Sequence, residues 1–134
     1  MFKMKKEDII AILRPYCEKE KNIIFGFLFG SYAFEASCLE SDIDIALYLK
    51  NKDNRLENKI QNGLERLLKK EVDLIILNRA PSILAWNIIR KGIPLTIKDR
   101  GVYLDFMLEV SREAEDLIDF NLDTWRKKYA LGTS

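Results

Sequence analysis

Three short apolar runs, Ile23–Phe29, Ile43–Leu49 and Val72–Leu77, constrain this chain more than any other feature. Each is rich in β-branched and aromatic residues and too short to be a helix. Such runs read as strands buried on both faces, the kind that need helices above and below. The segments between them supply those helices. Lys5 to Lys19 carries an apolar stripe of Ile9, Ile10, Ile12, Leu13 and Tyr16, and Asp53 to Lys70 carries Leu56, Ile60, Leu64, Leu67 and Leu68. Pro81 is placed for a first helical turn, followed by Ile83, Leu84, Ile88 and Ile89 on an inner side, and Gly92 ends that helix. Ile93–Ile97 reads as a fourth short strand. From Gly101 one long helix follows, with a stripe of Phe106, Met107, Val110, Ala114, Leu117, Ile118 and Trp125. The alternation predicts a mixed α/β sheet covered by helices, in one domain over residues 1–134 without repeat or linker.

Composition removes several classes of function. The net charge of +1 gives no electrostatic footprint for gripping a nucleic-acid backbone, so direct nucleic-acid binding is not expected. No apolar run approaches the ~20 residues of a membrane span, and the opening MFKMKKEDII has no signal-peptide apolar core. Cys17 and Cys38 have no metal or redox spacing; Cys17 reads as a buried helix residue and Cys38 as a loop thiol. A reduced, cytoplasmic setting is the expectation. The chain contains no histidine. That excludes Ser-His-Asp and Cys-His nucleophiles and any His-ligated zinc, leaving carboxylate, Lys, Tyr or water for proton transfer.

The polar residues at the mouths of the strands carry the chemistry. Gly30-Ser31 leaves the first strand, and after ten residues Asp42-Ile43-Asp44 enters the second. In an extended strand residues i and i+2 share a face, so Asp42 and Asp44 stand side by side. Two hard oxygen donors so placed suit Mg2+, which takes one or two protein carboxylates and completes its octahedron with water and phosphate. Gly30 lets the backbone pass close to a phosphate, and Ser31 can cap a following helical turn or donate its hydroxyl to a phosphate oxygen. Asp73, in EVDLIIL, is on position alone either a polar strand entry or a third ligand.

Gly-Ser, ten residues and Asp-x-Asp, with Asp73 on a later strand, resembles the signature of the polymerase-β-like nucleotidyltransferases. The whole chain is similar to their small single-domain branch, the minimal nucleotidyltransferases (MNT). The resemblance implies that superfamily's α+β fold: a mixed four- to five-stranded sheet flanked by helices, with a long C-terminal helix. It implies Gly30 and Ser31 as phosphate ligands, Asp42 and Asp44 as catalytic metal ligands, and Asp73 as a further one or as acceptor of a proton. It implies two Mg2+ ions and ATP as substrate. Small MNT proteins with a trailing helix resemble the antitoxin half of toxin–antitoxin modules whose partner is a helical HEPN ribonuclease-type toxin. The implied activity is transfer of AMP onto a tyrosine of that toxin, which silences it.

One departure stands out. Where many relatives have Arg-Gly after the Gly-Ser loop, this chain has Phe34-Glu35. A cation near the phosphates is lost, which leaves metal binding intact but questions turnover. Two other functions therefore stay open: an antitoxin that masks its partner by contact alone, and a transferase for a small molecule of the aminoglycoside kind. Lys50, Lys52, Arg55, Arg79 and Arg90 read as solvated cations rather than triphosphate ligands. Trp86 and Trp125 read as core or partner contacts. The C-terminal helix reads either as a core closure or as a partner surface.

Overall fold

The structure, a computed structural model, describes residues 5–30 and 43–114. Ser31, Phe34, Glu35, Cys38, Asp42, Leu117, Ile118 and Trp125 lie outside the described residues. Four strands and four helices follow in the order α1 (Lys6–Lys19), β1 (Ile23–Phe29), β2 (Ile43–Leu49), α2 (Asn54–Leu68), β3 (Val72–Ile76), α3 (Ser82–Lys91), β4 (Ile93–Ile97) and α4 (Arg100–Ala114). The sheet order is β3-β2-β1-β4. β1 runs antiparallel to both neighbours and β2 runs parallel to β3, so the sheet is mixed and has four strands among the described residues.

Alternation along each strand divides the core in two. Leu28, Ile43, Ile45, Leu47 and Leu49 face α1 and α2, meeting Ile9, Leu13, Cys17, Ile60, Leu64 and Leu68. Phe25, Phe27, Phe29 and Ala46 face α3 and α4, meeting Leu84, Ala85, Ile88, Ile89 and Val110. On this second side Phe25 stacks on Tyr48 at 4.7 Å and meets Tyr103 edge-on at 5.2 Å, while Phe106 of α4 sits 5.1 Å from Tyr48. Aromatic pairs of this geometry contribute about 0.5–1.5 kcal/mol each beyond the area they bury. They hold α4 against the sheet, so up to Ala114 its stripe closes the core, as Val110 and Ala114 are buried. Leu104 and Leu108 on its outer side stay exposed. Gly26 has a packing reason: a Cβ there would lie 2.6 Å from Leu47 Cδ2.

Boundaries move where side chains stand in for backbone. The third apolar run stops being a strand at Ile76, and Leu77–Arg79 turns as a 3-10 helix. The Asn78 amide then bonds both backbone groups of Leu49, at 2.9 Å each, in place of a strand partner. Asn22 does the same for Asn51, at 2.7 and 3.0 Å. Pro81 stands at the N-cap of α3, one position before the helix, its carbonyl accepting from Ala85 N–H. Asp53 caps α2, its carboxylate accepting from Arg55 N–H at 2.8 Å.

β3 is an edge strand, and α2 covers its first residue. Gln61 donates to Val72 O at 3.1 Å and Glu65 accepts from Val72 N–H at 2.9 Å. Both outward backbone groups of the residue before Asp73 are thereby satisfied, which blunts the edge and fixes the strand's start.

Arg79 is not simply solvated: its guanidinium grips Glu57 of α2 with two bonds, at 2.9 and 2.6 Å. Those bonds hold the Glu57 carboxyl below its ordinary value, against the opposing pull of burial. A folded value below the unfolded one, about 4.3, contributes stability above that pH and loses it as pH falls through the folded value. Urea denaturation should therefore find Glu57→Gln less stable than the wild type at about pH 7, with the difference closing towards about pH 3. A gap that stays constant across that range would contradict this account of the pair.

Candidate active site

The ladder of the sheet assembles the site. Phe29 of β1 lies opposite Asp44 of β2, and Asp44 lies opposite Asp73 of β3. Laterally paired residues share a sheet face, here the face covered by α3 and α4. The row beneath, Phe27, Ala46 and Ile75, is apolar and belongs to that core. The two carboxylates therefore stand at the end of an aromatic-lined layer, where β1 finishes and β2 and β3 begin.

Gly30 follows Phe29 at this same end. It is buried and has φ 78°, a left-handed conformation that glycine adopts without a Cβ penalty. The chain can thus turn sharply off β1 beside Asp44. Ser31 and Asp42, the other members of the motif, lie outside the described residues.

Burial distinguishes the two acids. Asp44 is 1% exposed, whereas Asp73, on the edge strand, is only part-buried. Neighbouring strand positions are about 4.8 Å apart, and like charges directly opposite one another on a sheet face are unfavourable. A divalent cation between them reverses the sign of that interaction, and oxygen-only donors are what Mg2+ prefers. The pair fits such an ion. Two carboxylates are not a complete protein cage, and no group of three metal-ligating side chains occurs among the described residues. That also suits Mg2+, which keeps waters and phosphate oxygens in its shell.

The basic residues weighed as phosphate ligands stand elsewhere. Lys50 is six residues along the strand from Asp44, roughly 20 Å away, and Lys52 and Arg55 continue from that far end. Arg79 is engaged by Glu57, and the Arg90 guanidinium lies over the Trp86 ring at 5.5 Å. Trp86 is accordingly half-buried against the second core cluster. Cys17 is buried, and burial pushes its thiol up to about 12, so it is an inert core residue.

The geometry coincides with a family pattern. The model of the polymerase β nucleotidyltransferase family matches residues 11–101, which contain Gly30, Asp44 and Asp73. The chain belongs to this family. Solved structures share its fold. A toxin–antitoxin crystal structure with AMP-PNP is 24% identical, with a TM-score of 0.65 over 97% of this chain and 98% of that one. A complex of tri-AMPylated Shewanella oneidensis HEPN toxin with MNT antitoxin is 22% identical, with a TM-score of 0.58 over 96% and 94%. An MntA–HepT toxin–antitoxin structure is also 22% identical, with a TM-score of 0.58 over 96% and 95%. No curated protein matches the chain. None of the helices among the described residues is long and apolar enough to cross a membrane.

The site makes a prediction about metal. Adding Mn2+ or Mg2+ should raise the stability of the wild-type protein by about 1–3 kcal/mol at concentrations well above Kd, and EDTA should remove the gain. Asp44→Asn and Asp73→Asn should lose most of that metal dependence, with circular dichroism confirming that each variant folds. Equal metal-induced shifts in thermal melts of wild type and Asp44→Asn would contradict the assignment.

Proposed function

We propose that this nucleotidyltransferase is the antitoxin of a HEPN toxin pair and silences its partner by transferring AMP from ATP to a tyrosine hydroxyl. The observation that carries the proposal is the lateral pair Asp44–Asp73 beside the left-handed turn at Gly30, inside the residues the family model matches. The fold neighbours support it, being toxin–antitoxin complexes, one with AMP-PNP and one with an AMPylated HEPN toxin.

In this reading Gly30 and Ser31 present backbone N–H groups and a hydroxyl to the phosphates. Asp42, Asp44 and Asp73 would hold Mg2+, which would supply neutralisation of negative charge on the phosphates. Burial fixes the Asp44 carboxylate, and the edge position of Asp73 leaves it open to an incoming hydroxyl. Asp73 takes the hydroxyl proton as the tyrosine oxygen attacks the α-phosphorus. The P–O bond to the β-phosphate breaks, pyrophosphate leaves, and the tyrosine carries a phosphodiester-linked AMP.

Intact-mass spectrometry of the toxin co-expressed with this chain tests the reading. The toxin should gain one or more AMP units with the wild-type chain. With Asp44→Asn the rate should fall by about 10²–10³-fold, the cost of losing one key electrostatic contact to the transition state. A toxin that is neutralised without any mass gain would favour masking by contact.

A further inference from the structure

On the far side of the sheet from Asp44 and Asp73, α1 and α2 border an open groove of about 640 Å³. One wall is a stripe of α2 residues, Arg55, Lys59, Asn62 and Arg66, spaced to recur on a single helix face, with Asn58 beside it. Tyr16 of α1 and Glu20, the residue that caps its C-terminus, form the other wall.

The groove is open because residue 63 is glycine. A Cβ there would lie 2.8 Å from the Tyr16 hydroxyl oxygen, so any other residue would push the ring aside. Gly63 sits inside α2, where glycine costs roughly 1 kcal/mol relative to alanine. The close approach of Tyr16 explains that choice. Among the described residues Arg55, Lys59 and Arg66 form no ion pair through their side chains, and the Tyr16 hydroxyl makes no hydrogen bond. Burial raises the Tyr16 pKa, so this hydroxyl stays a neutral donor at physiological pH.

We infer that this groove is a second anion site, for a small polyphosphate-bearing ligand of about nucleotide size. The volume lies within the roughly 300–1,000 Å³ range of small-molecule pockets. Three cations face one carboxylate, Glu20, which itself accepts the Asn22 backbone N–H at 3.1 Å. The excess of guanidinium and ammonium donors suits phosphate oxygens, because Arg offers a planar fork and Lys a point charge. The Asn58 and Asn62 amides and the Tyr16 hydroxyl add neutral donors. The sheet separates this groove from the carboxylate pair, so its ligand is not the one engaged there, and the inference stands apart from the proposed AMP transfer.

Isothermal titration calorimetry in EDTA, with ATP and inorganic tripolyphosphate as probes, tests it. EDTA weakens binding at the carboxylate pair, and comparison with the charge-reversed variant isolates the groove. The expected result is saturable one-to-one binding, retained in Asp44→Asn and weakened about tenfold or more in Lys59→Glu/Arg66→Glu. Both substituted positions are exposed, and circular dichroism checks that the variant folds. Binding of neither probe, or equal binding by wild type and the charge-reversed variant, would overturn the inference. So would binding that Asp44→Asn removes.

Discussion

The parallel pairing of β2 with β3 sets Asp44 directly beside Asp73, and like charges at adjacent strand positions repel. Much of the described architecture holds the two acids in that arrangement. Apolar rows beneath them pin the register, because a one-residue slip would turn the acids into one core layer and Ile43, Ile45 and Leu74 into the other. The α2 residues Gln61 and Glu65 clamp Val72, so the edge strand cannot peel away just before Asp73. The amide of Asn78 closes the far end of the ladder at Leu49.

Burial and exposure divide the labour within that pair. Asp44, on a central strand and under the aromatic layer, has a fixed position and suits a permanent ligand role. Asp73, on the edge, can meet a second molecule. The sharp left-handed turn at Gly30 brings the end of β1 to the same place, so three chain segments distant in sequence meet at one end of the sheet. The opposite layer, α1 with α2, is free of that chemistry and carries the cationic groove instead.

The strands were legible because each is an unbroken apolar run bounded by polar residues. β1, β2 and β4 begin and end where the pattern does, and α1 differs by one residue at its start. The third run was overestimated by one residue, since Leu77 is as apolar as its predecessors and only the side chain of Asn78 reveals the turn. The motif placed Asp44 and Asp73 on strands but not beside one another. Adjacency depends on sheet order, which a string of alternating elements does not state. Arg79 was read as solvated because its partner Glu57 lies twenty-two residues away on another element. Such a pair has no local signature. Gly63 likewise reads as a weak point in a helix until Tyr16 is seen against it.

Asp44 and Asp73 are expected to share a divalent cation at the end of the sheet. Crystals of the protein with Mn2+ and a non-hydrolysable ATP analogue, measured for anomalous scattering at the manganese edge, test it most directly. The expected result is a manganese peak in contact with the Asp44 carboxylate, on the face shared with Asp73, with the nucleotide phosphates near Gly30. Nucleotide bound there with no manganese against Asp44, or manganese and phosphates held at some other surface, would contradict it.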